Sequence, residues 1–304
     1  MIVKKIPILR GFPALETVKY LSNTKNKLSE YNPIFYDIET TGLSRYTAFV
    51  YLIGAVRFEE NQWMLYQWMG EDENEEALVL QEFASFLTNA DCTIQYNGQS
   101  LFKLSKMKQP DLENFVGIHN RKYCDGGQCI RLYRTFMKKK DPEAANIVMG
   151  HNEEDLLGLG TIFSLLAYKK LYDGEYHPKQ CVILEQELKI IIELSAAAPV
   201  NVSCGNSDFY LSVNGYEARM LVHLKKGKLR QYYRNYKDYE FIPGEDTAMP
   251  KSITRYMDKS LKIATTPQTC YTWFNCDEDF LNNEKKQMQY LTHTLPFFLD
   301  NLNK

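Results

Sequence analysis

Two carboxylates spaced two residues apart on an apolar strand, followed at once by a glycine turn, constrain this chain more than any other feature. The stretch Asp37-Ile-Glu39-Thr-Thr-Gly-Leu43 closes the apolar run Ile34-Phe-Tyr36. Strand residues two apart point to one face, so Asp37 and Glu39 present their oxygens together while Ile38 is expected to pack behind. Like-charged carboxylates held this close repel unless a proton or a cation lies between them. Hard oxygen ligands on a rigid element suit Mg²⁺ or Mn²⁺, so the pair reads as half of a metal site.

A chain of 304 residues is long enough for two domains with separate cores. Its formal net charge is -2, so any surface for a polyanion must be a local patch. No apolar run approaches the ~18 residues of a membrane span, and the N-terminus lacks the apolar core and cleavage site of a signal peptide. A cytoplasmic protein without membrane attachment is the expectation. Seven cysteines, with no Cys-x-x-Cys spacing, argue against a disulfide framework, a disulfide-linked partner and a structural zinc site.

Beyond Glu39 the pattern reads strand, strand, helix, strand. Residues 48–58 are rich in β-branched and aromatic types, Glu59-Glu-Asn61 interrupts, and 62–68 alternates, which predicts a hairpin. An acidic run at 71–76 opens a helix over 77–87, with Leu80, Phe83 and Leu87 at helical spacing. A short strand ends in Asn97-Gly98, and helical pieces follow near 111–117 and 126–138. A long amphipathic helix over 142–172 is expected to break or bend near Gly150. The link Asp173-Gly-Glu-Tyr-His-Pro178 suggests a boundary between domains at 1–176 and 177–304. After it, Leu184, Leu188, Ile190, Ile192 and Leu194 share one parity, a strand pattern, and Asn214-Gly215 predicts a hairpin turn. The second half therefore reads as a smaller α+β domain built on an antiparallel meander.

His151-Asn-Glu-Glu-Asp155 lies on the long helix. Its i, i+4 spacing puts His151 and Asp155 on one face. Such a pair can divide labour: Asp155 closes a metal site with Asp37 and Glu39, and His151 deprotonates an attacking water.

The series Asp-x-Glu-Thr-Thr-Gly-Leu, the hydrophobic strand Phe49 to Gly54, Tyr96-Asn-Gly98 and His151-Asn-x-x-Asp155 resembles the DEDD superfamily of 3′ to 5′ exonucleases, and within it the YprB-type branch. The resemblance covers about residues 30 to 172 and implies a ribonuclease-H-like α/β fold, a mixed sheet flanked by helices. It implies that Asp37 bridges two divalent ions, that Glu39 and Asp155 complete the first, and that His151 is the general base. It also implies that Thr41, Leu43 and Asn97 meet the terminal nucleotide, Leu43 as an apolar wedge, and that the reaction is phosphodiester hydrolysis. One acid departs from the pattern. Where the family continues Tyr-Asn-Gly-x-Ser with Phe-Asp, this chain reads Leu101-Phe102-Lys103 and has no carboxylate before Asp111. The second ion loses support while the first keeps its three carboxylates. Either Asp111 or Glu154 substitutes, the chain omits a segment, or the protein is a weak or inactive relative that binds nucleic-acid ends or a protein partner.

In the second half, Lys225, Lys226, Lys228, Arg230, Arg234 and Lys237 are concentrated among Tyr232, Tyr233, Tyr236 and Tyr239. Cations for phosphates and aromatic rings for stacking are the composition of a surface for single-stranded DNA or RNA, with Lys225, Lys226 and Arg230 as its leading contacts. A solvated lysine turn with tyrosines packed on the sheet has the same composition.

Overall fold

The computed structural model describes residues 1–24, 27–42, 44, 46–96, 108–119, 121–123 and 126–302. The chain divides into two compact units, Met1–Ser164 and Leu165–Lys304. The link at 173–178 and the helix before it therefore fall inside the second unit rather than at its border.

In the first unit the elements run β1 (Ile2–Ile8), α1 (Leu15–Leu21), β2 (Pro33–Thr40), β3 (Val50–Glu59), β4 (Gln62–Met69), α2 (Glu76–Phe86), β5 (Cys92–Ile94), α3 (Gln109–Phe115), α4 (Gly126–Lys139) and α5 (Pro142–Phe163). The five strands form one sheet in the order β1-β4-β3-β2-β5. Its pairings are antiparallel except β2 with β5, which is parallel. The expected β3–β4 hairpin closes through Glu60 and Asn61, both at positive φ, the backbone that a two-residue turn between twisted strands requires.

Helices cover both faces of this sheet. On one, Ile34, Ile53, Ala55 and Trp68 pack with Val79, Phe83 and Phe86 of α2. The buried stripe of α2 thus shares Phe83 with the expected one but runs through Val79 and Phe86, and Leu80 is 42% exposed. On the other face, Leu52 and Met69 pack with Cys129, Tyr133 and Phe136 of α4 and Ala145, Val148 and Met149 of α5. Two expectations are corrected. Ile38 is 39% exposed, because β5 pairs only with Pro33 to Phe35 and leaves the acidic end of β2 at the sheet edge among the described residues. The long helix is not broken at Gly150 but continues to Phe163, and the break falls at 164–165. Gly150 serves a packing contact instead: a Cβ there would lie 2.6 Å from a ring carbon of Tyr123.

The second unit contains α6 (Leu166–Tyr172), β6 (Tyr176–Leu184), β7 (Glu187–Gly205), β8 (Phe209–His223), β9 (Lys228–Tyr232), β10 (Tyr239–Ile242), β11 (Thr247–Pro250), α7 (Lys251–Thr254), β12 (Ile263–Ala264), β13 (Tyr271–Asn275), α8 (Glu278–Leu281) and α9 (Glu284–Asp300). The strands β6, β7 and β8 form the antiparallel meander. Leu188, Ile190, Ile192 and Leu194 are buried, as their parity predicts, with Tyr290, Leu291, Leu295 and Phe298 of α9 in the same core. Asn214-Gly215 is not the hairpin turn expected of it. It lies inside β8, where the register against β7 shifts near Ala198 and Gly215. β7 is long enough to partner β8 on both sides of that irregularity, so the chain bulges rather than reverses.

Candidate active site

Asp37 and Glu39 share the parity of Phe35, whose ring meets Phe163 of α5 edge-on at 5.3 Å between centroids. The two acids therefore stand on the α5 face of β2. Antiparallel pairing sets Asp37 opposite Gly54 and Glu39 opposite Leu52, and the ladder becomes irregular after Glu39. Just beyond, Thr41 is tied to Phe49 through its backbone N–H (3.0 Å) and through its hydroxyl, which accepts from the Phe49 N–H (3.1 Å). Leu43 and Asn97, the other two residues expected at the terminal nucleotide, lie outside the described residues.

From α5 come His151 and Asp155. His151 Nε2 is 3.2 Å from Asp155 Oδ2 and 3.6 Å from Glu39 Oε1. The ring is 6% exposed. Its Nδ1 is buried with no hydrogen-bond partner among the described residues, so its reactive edge is Nε2. Glu39, His151 and Asp155 each offer a ligand atom, and these atoms lie within 4.8 Å of one another. The sequence places Asp37 in the ligand set and His151 beside it as the base. In the structure the imidazole also lies within ligating reach, and the carboxylate of Asp37 accepts a hydrogen bond from Asn152 Nδ2 at 3.0 Å.

That hydrogen bond belongs to a relay that the sequence did not single out. Gln67, buried in β4, donates through Nε2 to the Met149 carbonyl (2.8 Å) and to Asn152 Oδ1 (2.9 Å). With Oδ1 so engaged, the Asn152 amide must turn its N–H₂ toward Asp37. Gly54 makes the approach possible: a Cβ there would overlap Asn152 Oδ1 and stand 2.6 Å from Leu156 Cδ1. The available signals were a glutamine inside an apolar strand and a glycine inside a β-branched one.

The cluster is short of positive charge. Burial, then the charge of Asp155, pushes Asp37 up to about 6. Burial, then the charges of Asp37 and Asp155, pushes Glu39 up to about 8. Burial also raises Asp155, against the opposing pull of His151 and Arg121.

Arg121 donates from Nη1 to Asp155 Oδ1, and from Nε and Nη2 to the two oxygens of Glu113 at 2.8 and 2.6 Å. Neither residue was anticipated. The two acids weighed as replacements for the missing one are engaged with backbone amides. Asp111 accepts from the Lys108 N–H at the start of α3 (2.9 Å), and Glu154 accepts from the N–H groups of Lys122 (2.8 Å) and Tyr123 (3.0 Å).

In the second unit, Lys225 Nζ is 3.2 Å from Asp208 and Lys226 is an exposed residue at positive φ in the turn before β9. Arg230 lies over the rings of Tyr271 and Trp273, at 4.4 and 5.0 Å from their centroids, with Asp246 3.8 Å away. Of these three only Lys226 is exposed; Lys225 and Arg230 are half-buried.

The first unit is a mixed sheet with helices on both faces, and the model of the RNase_H superfamily matches residues 34–110 and 100–167. Together these give it the ribonuclease-H-like fold. No curated protein matches the sequence. Among solved structures, a crystal structure of a trimeric exonuclease, PhoExo I, from Pyrococcus horikoshii OT3 is 11% identical, with 67% of this chain and 94% of that chain covered and a TM-score of 0.13. A second structure of the same exonuclease is 11% identical over 66% and 92% of the two chains, with a TM-score of 0.12. A likeness that slight carries no structural inference.

Proposed function

We propose that this protein is a Mg²⁺- or Mn²⁺-dependent 3′ to 5′ exonuclease of the DEDD superfamily, in its YprB-type branch, hydrolysing phosphodiester bonds of single-stranded DNA or RNA. The observation that carries the reading is the convergence of Glu39, His151 and Asp155 within 4.8 Å of one another, on a strand and a late helix of a ribonuclease-H-like unit, with Asp37 beside them. The donor set fits a divalent cation. Acids whose proton affinities are raised by burial and then by one another form a site with more negative than positive charge, and carboxylate oxygens suit Mg²⁺ or Mn²⁺.

Glu39 and Asp155, with Asp37 alongside, would hold the ion. When bound, it supplies charge against the phosphoryl oxygens and so lowers the barrier to attack by water. The protein's own groups do the rest. Gln67 and Asn152 fix the Asp37 carboxylate. His151 turns Nε2 toward the gap between Glu39 and Asp155, where an attacking water would give up its proton. Thr41 stands at the end of β2, where the expected terminal nucleotide would enter.

A second reading is favoured by one specific observation. Arg121 already engages Asp155, and the family's second acid is absent from the sequence, so a module that binds nucleic-acid ends without cutting them has the same face. Degradation of end-labelled single-stranded DNA and RNA in Mn²⁺ separates the two. The nuclease reading expects activity lost in Asp37→Asn. Equal inertness of wild type and Asp37→Asn, with salt-sensitive binding retained in both, would overturn it in favour of the binder.

A further inference from the structure

Arg121 lies outside the acidic motifs, on a short segment that α5 holds in place. The Tyr123 ring fills the space left by the missing side chain of Gly150, and Glu154 accepts two consecutive backbone N–H groups from Lys122 and Tyr123. The guanidinium itself is gripped by the bidentate fork to Glu113, a geometry that fixes its plane as well as its place. Glu113 is 2% exposed. It reaches this position because Gly158 has no side chain; a Cβ there would lie 2.7 Å from Glu113 Cδ. The remaining arm of the guanidinium meets Asp155 Oδ1, while Oδ2 faces His151.

A guanidinium has five N–H donors, and these contacts use three. One hydrogen on each Nη has no partner among the described residues, and the side chain is 22% exposed. Arginine keeps its charge at any working pH, so the site always contains one cation that no chelator removes.

Resting on the nuclease reading above, we infer that Arg121 is the resident second cation of this site: it holds one oxygen of Asp155 beside the position of the single ion, and its two N–H groups without a partner among the described residues bind a phosphate oxygen of the strand, supplying the positive charge that a second divalent ion would supply. The missing family acid and the fixed guanidinium are then two sides of one change. A site that has lost a ligand for the second ion holds a covalently attached positive charge in its place. The ion held by Glu39 and Asp155 remains, and like-charge repulsion from Arg121 weakens its binding.

The test is a Mn²⁺ titration at neutral pH, followed by electron paramagnetic resonance, beside hydrolysis of an end-labelled single strand. The wild type is expected to bind one Mn²⁺. Arg121→Gln is expected to bind Mn²⁺ at least tenfold more tightly and to hydrolyse at least tenfold more slowly, opposite changes that a merely structural arginine would not produce. Removing Arg121 alone leaves the buried Glu113 without a counter-charge, with Gln109 Nε2 still donating to it at 2.8 Å, which can unfold the protein or free Glu113 to ligate. The double variant Glu113→Gln/Arg121→Gln avoids both outcomes and is expected to show the same opposed changes. Two ions in the wild type, or Mn²⁺ binding no tighter in the double variant, would overturn the inference. Glu39→Gln tells this failure from that of the nuclease reading. If it abolishes Mn²⁺ binding while the Arg121 variants behave as wild type, the metal site stands and the role of Arg121 falls. If no form binds Mn²⁺, both fall.

Discussion

A carboxylate that ordinarily titrates at 4.5 but is pushed up to about 8 makes Glu39 a proton store in the folded protein. Asp37, pushed up to about 6, adds to it. The folded state therefore binds more protons than the unfolded chain between the ordinary and the raised values. Stability from these acids is present below that window and is lost as pH rises through it. In EDTA, the urea midpoint of the wild type should fall between about pH 5 and pH 8 more steeply than that of Glu39→Gln, whose amide does not titrate. Mn²⁺ must displace the same protons, so its affinity should rise over that interval, and its rescue of stability should be larger at the alkaline end. Parallel denaturation curves for wild type and Glu39→Gln would refute the assignment. His151 is tested separately. As the proton acceptor rather than an essential ligand, His151→Gln should keep Mn²⁺ affinity within a few-fold and lower hydrolysis by about 10²-fold or more. Loss of Mn²⁺ binding in that variant would make the imidazole a ligand, as its distance to both carboxylates allows.

At the scale of elements, the site exists because α5 lies close against β2 and β3, and Gly54 is where that closeness is least forgiving. Gly54→Ala would drive a methyl group into Asn152 Oδ1 and Leu156. Overpacking of this kind costs about 1–3 kcal/mol. It should also release Asp37 from Asn152, so that hydrolysis falls further than stability alone explains. Asn152→Asp is the companion variant: it places a further acid against Asp37, in contact with an unaltered Gly54, and should weaken activity at nearly normal packing. Much of this architecture was legible. Alternation gave Asp37 and Glu39 a common face, and the i, i+4 pair gave His151 and Asp155 another, because both depend only on local periodicity. Gln67, Asn152 and Gly54 were not legible as a set, since their meaning is a contact between a strand hairpin and a helix some 85 residues later along the chain. Arg121 was invisible for the same reason. Its partners come from α3 and α5, and nothing in its neighbours' pattern announces a fork. The turn at Asn214-Gly215 shows the opposite error, a strong local signal overruled by a partner strand long enough to pair through it.

For the molecule as a whole, the question is what the second unit adds, and its basic stripe can be divided by what each cation already does. Arg230 lies over the rings of Tyr271 and Trp273, so Arg230→Ala should act on stability. Cation–π contacts of this kind contribute about 0.5–2 kcal/mol each, and single-strand affinity should change little once the variant is compared at matched folded fraction. Lys225 is drawn toward Asp208 at 3.2 Å, an exposed pair of small energetic weight, so its alanine variant should have a modest effect. Lys226 stands free in solvent at the tip of the turn. If the stripe receives a strand, Lys226→Ala should weaken binding across sequences and reduce the slope of log affinity against log salt by about 1, the signature of one lost phosphate contact. Filter binding of a fluorescent oligonucleotide over a range of NaCl, with Lys226→Arg as the charge-preserving control, reads that slope directly. An unchanged slope in Lys226→Ala would assign the lysines to a solvated turn and the tyrosines to the core. The nuclease reading would survive this, because every residue on which it depends lies in the first unit.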